Sequence, residues 1–278
     1  MPTTISTAHV DGAAIEFEID GVGPALLLVH GFPHTRALWA LVIPELSRTR
    51  RVISVDLRGC GGSSRPHAGF DAETLSKDLL AVLDVAGEDV ADVAALDAGV
   101  PPAFVLALTE PQRVRRLVLM ESTLGTLPGA EAFSRGGPPW WFGFHAVPGL
   151  AETVVAGHEG DYLNFFYRSG THDGKGIDPA IRDQFVSAYT GIESLRAGFE
   201  FYRAMPQTSA QLADLARTTR LTVPTLAIGS RPVGGALLAQ LQPVADDVRG
   251  ELIADCGHII PLDRPAALIA LLSNFLRT

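Results

Sequence analysis

The sequence is poor in features that mark several classes of protein. It contains only two cysteines among 278 residues, Cys60 and Cys256, and neither belongs to a CxxC pair. We interpret them as buried thiols, because no disulfide framework, zinc site or redox pair can be built from that spacing. No apolar run reaches about 18 residues, and Met1–Ser6 contains no basic segment followed by an apolar stretch. We therefore expect a cytoplasmic protein that does not enter a membrane.

Positive charge is also scarce. Lysine and arginine number 22 against 31 acidic residues, which gives a net charge of -9 and an isoelectric point near 5.3. Because nucleic-acid binding needs clustered basic residues, a nucleic-acid partner is not expected. His30 and His34 have the spacing of a helical metal pair, but Gly31 and Pro33 prevent a helix between them. The expected partner is a small-molecule substrate, with no metal and no cofactor.

The residues that are present indicate a globular α/β protein. Hydrophobic residues make up 47% of the chain and charged residues 19%, a composition typical of packed domains. Short apolar runs alternate with segments of helical spacing, which predicts a mostly parallel sheet flanked by helices. The predicted strands are 15–19, 25–29, 52–55, 93–96, 117–120, 224–228 and 250–253, and the predicted helices are 37–46, 72–86, 101–108, 235–244 and 265–276.

One stretch interrupts this alternation. Residues 123–219 contain a Gly-Gly-Pro-Pro sequence at 136–139, an aromatic cluster at 140–142 and amphipathic helical segments. We interpret them as a helical cap inserted into a core formed by residues 1–122 and 220–278. Such a cap would lie over the carboxyl ends of the strands, where open α/β sheets place their ligands. A separate domain joined by linkers is the alternative interpretation.

Asp97 is the first candidate for chemistry. The segment 93–100 passes from an apolar strand directly into a helix, with small residues two positions before and two positions after Asp97. A nucleophile on a sharp turn between a strand and a helix requires small neighbours at those positions. The helix N-terminus behind it would stabilise a carboxylate. The alternative is that Asp97 only caps the helix, and this segment alone favours neither interpretation.

Two further turns supply complementary groups. The sequence His30-Gly31-Phe32-Pro33 follows a buried strand, and such a turn can hold a backbone N–H toward an oxyanion. Phe32 would provide one oxyanion-hole donor and Ala98 the other. A glycine turn before the last helix presents His258, which is suited to act as a general base. The order of nucleophile, acid and histidine along the chain then requires an acid between Asp97 and His258.

Glu121 is the predicted acid. The loop after the strand at 224–228 reads Gly229-Ser230-Arg231-Pro232-Val233 and contains no carboxylate. By contrast, the apolar strand at 117–120 ends directly in Glu121. A glutamate on the surface is the alternative, but a solid apolar strand that ends in a single carboxylate favours a role in the site.

Taken together, the chain resembles the epoxide hydrolase and dehalogenase branch of the α/β-hydrolases over nearly its whole length. The motifs that carry the resemblance are individually weak and jointly specific. They are His30-Gly31-Phe32-Pro33, residues 56–64 (DLRGCGGSS), the Asp97 turn, Glu121, Phe201-Tyr202-Arg203-Ala204 and Gly257-His258.

The resemblance implies two hydrogen-bond donors in the cap that hold an epoxide oxygen. Tyr202 matches one of them, and the other aligns with Trp141, where the family usually has tyrosine or histidine. An indole N–H donates a hydrogen bond but does not release its proton near neutral pH, so acid catalysis would fall to Tyr202. Trp140 and His145 are alternatives for the second donor. With His30 and Pro33, they are assigned to the substrate pocket.

The resemblance therefore implies an epoxide hydrolase that forms a vicinal diol through an ester on Asp97, with a bulky neutral substrate. A hydrolytic dehalogenase with the same Asp97, His258 and Glu121 is the alternative. Fluoroacetate-type members have arginines just after the nucleophile and haloalkane-type members have a tryptophan there, whereas this chain has Ala98-Gly99-Val100. A non-catalytic receptor with the same fold is a further alternative. The oligomeric state is open, with an exposed cap edge as the candidate surface for a homodimer.

Overall fold

The computed structural model describes residues 3–277 and shows a sheet of eight strands within that range. The strands are β1 (Thr4–Val10), β2 (Ala13–Asp20), β3 (Ala25–Val29), β4 (Arg51–Val55), β5 (Ala91–Leu96), β6 (Val114–Met120), β7 (Thr225–Gly229) and β8 (Val248–Leu252). Their order in the sheet is β1-β2-β4-β3-β5-β6-β7-β8. β1, β2 and β4 pair antiparallel, and every pairing from β4 to β8 is parallel. The predicted mostly parallel sheet is confirmed.

Helices connect the parallel strands and supply the inserted segment. They are α1 (Ile43–Leu46), α2 (Ala72–Ala86), α3 (Val100–Thr109), α4 (Glu131–Ser134), α5 (Trp140–Ala146), α6 (Leu150–Val155), α7 (Glu159–Ser169), α8 (Pro179–Ala188), α9 (Ile192–Arg203), α10 (Met205–Thr218), α11 (Ala236–Leu241), α12 (Ile260–Asp263) and α13 (Pro265–Phe275). No helix within residues 3–277 combines the length and hydropathy needed to cross a bilayer.

The central strands form the buried core. Every residue of β3, β5 and β7 is buried, as expected for parallel strands covered on both faces by helices. Cys60 and Cys256 are free and buried, and burial raises the pKa of each thiol to about 12. These cysteines are therefore packed thiols, as the sequence predicts.

Two local expectations differ from the structure. The predicted helix at 37–46 is broken into a 3₁₀ turn, Arg36–Trp39, and the short helix α1, which has a proline in its first turn. Proline favours the start of a helix over its interior, so the chain restarts there. The sequence analysis also missed β1, whose residues are mostly exposed and therefore carry no continuous apolar pattern.

The segment 123–219 is helical throughout its regular structure, with α4 to α10 between β6 and β7. It contacts the rest of the chain through buried and polar groups. The Arg65 guanidinium donates to the Ala188 carbonyl oxygen at 3.1 Å, and Arg196 donates to the carbonyl oxygens of Arg65 and Pro66 at 2.9 and 3.1 Å. These contacts hold the helical insertion against the sheet-bearing part.

Candidate active site

Asp97 lies on a strained turn between β5 and α3. Its φ is +54°, an uncommon value for a residue other than glycine. A Cβ at Gly31 would lie 2.4 Å from the Asp97 Cβ, and one at Gly99 would lie 2.5 Å from the His30 carbonyl oxygen. Gly99, two positions after Asp97, is therefore required by close backbone approach, and Gly31 leaves the space that the Asp97 side chain occupies.

The Asp97 carboxylate accepts backbone hydrogen bonds at the top of the sheet. The Phe32 N–H donates to Oδ2 at 2.9 Å, and the Ala98 N–H acts on the carboxylate in the direction that lowers its pKa. α3 has no side-chain cap, so the alternative in which Asp97 merely caps a helix does not describe this structure. Burial raises the pKa of Asp97, and the charge of His258 and the two N–H groups act in the opposite direction.

His258 bridges the two carboxylates. Its Nδ1 lies 3.2 Å from Glu121 Oε2, and its Nε2 lies 3.8 Å from Asp97 Oδ1. Burial alone would lower the pKa of His258, but the bond to Glu121 and the charges of Asp97 and Glu121 outweigh that effect, and the pKa is raised. About a quarter of the Asp97 and His258 side chains remains accessible, 28% and 26%. Both groups can therefore meet a small molecule or water.

Glu121 is held by the neighbouring strand. It follows β6, has a φ of +49° and is 1% exposed. Its Oε1 accepts the Ser230 N–H at 2.5 Å, and the Ser230 hydroxyl donates to the Gly257 carbonyl oxygen at 2.7 Å. Ser230, which the sequence analysis did not select, thus contacts both the acid and the turn that carries the base. The only signal for it was its position just after β7.

Tyr202 and Trp141 come together on two helices of the insertion. Tyr202 lies in the last turn of α9 and Trp141 lies on α5. Both rings contact that of Phe142, with 5.4 and 6.1 Å between ring centroids, and the Trp141 side chain acts on the Tyr202 hydroxyl in the direction that lowers its pKa. The Tyr202 ring packs edge-on against Phe32 with 5.4 Å between ring centroids, and Phe32 donates to Asp97. Burial and the Asp97 charge raise the pKa of Tyr202 well above its usual value. Its hydroxyl stays protonated at neutral pH and can donate.

His145 lies behind these donors. It is fully buried, stacks on Phe199 at 4.3 Å and meets the Tyr202 ring at 4.4 Å. Its Nε2 is hydrogen-bonded to the Tyr162 hydroxyl at 2.5 Å, a partner that the sequence analysis missed. Burial and the charge of Arg203 lower its pKa to about 3. The imidazole is therefore neutral and packed into the aromatic wall of the site.

The other residues predicted to line the pocket are His30, Trp140 and Pro33, and they lie in different surroundings. His30 is fully buried, its Nδ1 bonds the Gly31 carbonyl oxygen and its Nε2 accepts the Leu57 N–H. Both nitrogens therefore support the turn, and the assignment of His30 to the substrate pocket stays a prediction. Trp140 is 56% exposed and packs on Phe165. Its role in the pocket, like that of buried Pro33, stays a prediction.

A groove of about 720 Å³ lies beside α8, and none of the three catalytic candidates lines it. Arg36 in this groove is bound to Asp56, Glu16 and Glu18. Because these charges already pair with one another, and because the groove is separate from Asp97, we do not assign the substrate to it.

Residues 3–277 contain no group of three or more His, Cys, Asp or Glu side chains placed to hold a metal ion.

Comparison with known proteins gives the family of the chain. The model of the alpha/beta hydrolase fold family matches residues 24–265. The chain belongs to the α/β-hydrolase fold family. Its eight-stranded, mostly parallel sheet flanked by helices is the architecture of that family.

Individual relatives cover most of the α/β-hydrolase chain. It is 28% identical to the soluble epoxide hydrolase of Corynebacterium sp. (strain C12) over 279 aligned residues, which cover 94% of this chain and 93% of the relative. It is 27% identical to the fluoroacetate dehalogenase of Burkholderia sp. over 70% of this chain and 67% of that protein. The crystal structure of Cfl2 from Burkholderia cenocepacia superimposes with a TM-score of 0.90, 31% identity and coverage of 99% and 96%.

Proposed function

We propose that this α/β-hydrolase is an epoxide hydrolase, acting on an ether bond through a covalent ester on Asp97. The observation that carries the proposal is the Asp97 carboxylate, which faces His258 on one side and lies near the phenol of Tyr202. Similarity to a soluble epoxide hydrolase over 94% of the chain supports it. The insertion 123–219 is then the cap that closes over the substrate.

In the first step, an Asp97 oxygen attacks an epoxide carbon and the ring C–O bond breaks. The Tyr202 hydroxyl gives its proton to the departing oxygen, while the Trp141 N–H stabilises the negative charge that remains on Tyr202. The product of this step is an alkyl ester on Asp97. Tyr202 suits the step because it is protonated and partly buried at the point where charge develops.

In the second step, His258 removes a proton from water, and the resulting hydroxide attacks the ester carbonyl carbon. The N–H groups of Phe32, which bonds the carboxylate of the resting protein, and of Ala98, which acts on the same carboxylate, stabilise the oxyanion. Each such donor contributes on the order of 3 kcal/mol to lowering the barrier. The Glu121 carboxylate orients the imidazole and stabilises its charged form. Collapse of the intermediate breaks the bond between the carbonyl carbon and the alkyl oxygen, and the imidazolium gives its proton to the departing alkoxide, so that a vicinal diol is released. The proton that remains on the Asp97 carboxyl returns to Tyr202 and restores the resting state.

The walls of the site favour an uncharged substrate with an apolar substituent. The residue after the nucleophile is the small Ala98, and rings of Phe32, Phe199, Phe166 and His145 pack around the donors. The His145 imidazole is neutral and offers no charge to a carboxylate. A bulky neutral epoxide matches this environment better than a short haloacid.

Hydrolytic dehalogenation is the second candidate. Trp141 and Tyr202 form a pair of donors that could hold a departing halide as well as an oxygen, and a fluoroacetate dehalogenase is among the relatives. Halide release from fluoroacetate or a haloalkane would favour this candidate. Diol formation from styrene oxide without halide release from either compound would favour the epoxide hydrolase.

The His258→Gln variant tests the proposal most simply. Without its base, the variant should form the ester and fail to hydrolyse it, so its intact mass after incubation with styrene oxide should rise by the mass of one substrate molecule. A matched Asp97→Ala/His258→Gln variant should show no increase. Absence of an adduct with every epoxide and halide substrate would instead support a non-catalytic receptor.

A further inference from the structure

The turn that carries the catalytic base is attached to the helical insertion. Residues 255–259 leave the sheet after β8, and the Ile259 N–H donates to the Gly170 carbonyl oxygen at 2.9 Å. Gly170 directly follows α7 of the insertion. The backbone on either side of His258 is therefore positioned by a segment that lies nearly 90 residues earlier in the chain.

Asp263 joins the same two segments with a single oxygen atom. Its Oδ2 accepts the Gly257 N–H at 2.6 Å and the His172 N–H at 2.9 Å. The Asp263 side chain is only 8% exposed, and Arg264 contacts its other oxygen at 3.2 Å. A carboxylate that accepts two partly buried backbone donors forms strong, charge-assisted bonds. Removal of the carboxylate would leave both N–H groups without a partner.

The turn that carries His258 packs directly against the backbone of residues 170–171. A Cβ at Gly257 would lie 2.3 Å from the Gly170 carbonyl oxygen and 2.7 Å from the Thr171 carbonyl carbon. Both atoms belong to backbone, so they cannot move aside as a flexible side chain would. The position of Gly257, and with it the start of the His258 residue, is set by the insertion.

His258 itself has few direct restraints. Its imidazole makes one hydrogen bond, to Glu121, and that contact is long at 3.2 Å. The ring must present Nε2 to a water molecule near the Asp97 ester, and misplacement by about 1 Å can cost roughly 100-fold in rate. The backbone of the turn must therefore supply the precision that the side-chain contact does not.

We propose that Asp263 is a positioning residue for His258, binding the turn of the base to residues 170–172 of the insertion so that ester hydrolysis depends on this contact. Asp263 does not touch the substrate and plays no part in ester formation. In the frame of the proposed function, the insertion acts in both steps, through Tyr202 and Trp141 in the first and through Asp263 in the second.

A readout without substrate tests the positioning. The His258 Nδ1 proton shared with Glu121 should give a low-field proton NMR resonance, identified by its absence in His258→Gln. Asp263→Ala should broaden or abolish it, whereas Asp263→Asn, which keeps an oxygen acceptor, should retain it. His172→Ala is the matched control, because it keeps the N–H that Asp263 accepts and removes only the imidazole, whose Nε2 lies 3.7 Å from the exposed Asp255 carboxylate. A sharp, unshifted resonance in Asp263→Ala would overturn the proposal.

The second readout separates the two chemical steps. In single-turnover reactions with styrene oxide followed by intact mass, Asp263→Ala should slow ester hydrolysis about 10- to 100-fold and leave the rate of ester formation within about two-fold. Equal slowing of both steps, or of neither, contradicts the proposal. If Asp263→Ala does not fold, Gly257→Ala replaces it in the NMR and single-turnover measurements. This variant displaces the turn and keeps Asp263, so it should also weaken the resonance and slow only ester hydrolysis. Failure of wild-type protein to form any ester refutes the proposed function, while the NMR comparison still tests the positioning.

Discussion

The two halves of the site are built in different ways. On the sheet, Asp97, Glu121 and Asp255 occupy turns after β5, β6 and β8 with φ values of +54°, +49° and +49°, and glycine contacts fix the turn at Asp97. On the insertion, Trp141 and Tyr202 lie on ordinary helices and are positioned by packing of aromatic rings. Backbone geometry therefore determines the nucleophile and acid, whereas side-chain packing determines the donors.

Among the groups on the sheet and on the insertion, we expect the largest loss of activity from a substitution of Asp97. Asp97→Ala removes the group that forms the ester, and turnover should fall by on the order of 10⁴-fold or more. Circular dichroism should show an unchanged fold, because the side chain is partly accessible. Residual activity within ten-fold of wild type would show that water attacks the substrate directly.

Loss of a donor from the insertion should have a smaller and step-specific effect. Tyr202→Phe keeps the ring contacts and removes the hydroxyl, so ester formation should slow about 10²- to 10³-fold while ester hydrolysis is little changed. Trp141→Phe should cost less, because the indole N–H only assists Tyr202. Rapid-quench measurement of both steps checks this expectation, and slower hydrolysis with unaltered ester formation would refute it.

Substitution of Glu121 should shift the pH dependence of ester hydrolysis in a defined direction. The base must be neutral to accept a proton, so hydrolysis falls as the pH drops below the pKa of His258, which Glu121 raises. Glu121→Gln should lower that pKa and move the acidic limb of the hydrolysis profile to lower pH, with a maximal rate reduced by roughly ten-fold or more. Glu251→Gln, on the exposed strand β8, is the control. A limb that moves to higher pH would show that Glu121 does not stabilise the imidazolium.

Two glycine substitutions compare how strongly the sheet turn and the insertion depend on backbone geometry, measured as the free energy of unfolding. Gly31→Ala places a Cβ 2.4 Å from that of Asp97 and should destabilise the protein by about 1–3 kcal/mol. Gly143→Ala lies on α5 beside Trp141 with no atom within 4 Å of the new Cβ. It should stabilise the helix by roughly 0.5–1 kcal/mol. Urea unfolding measures both, and equal effects would contradict the comparison.

Sequence reasoning reached the sheet-borne groups because the position of a residue at a strand end is visible in the chain. Asp97 and Glu121 each follow an apolar run, His258 follows a glycine turn after the predicted strand 250–253, and parallel strands bring such ends together. For the same reason most strands and the helices α2, α3 and α13 were predicted close to their observed bounds.

The residues that were missed act through contacts that no local pattern reveals. Ser230 and Asp263 bind backbone groups of distant segments, and Tyr162 meets His145 only because two helices of the insertion pack together. His30 was assigned to the pocket from its place in the motif, but only the folded chain shows that its nitrogens bind backbone groups on both sides. Tertiary packing, absent from the chain order, decides these cases.

The central claim is that Asp97 carries the substrate as an ester, and isotope transfer tests it directly. In a single turnover of styrene oxide in ¹⁸O-labelled water with excess enzyme, the account predicts heavy oxygen in the Asp97 carboxylate and none in the diol, as read by mass spectrometry of the Asp97 peptide and of the product. Label in the diol with an unlabelled Asp97 would contradict the account.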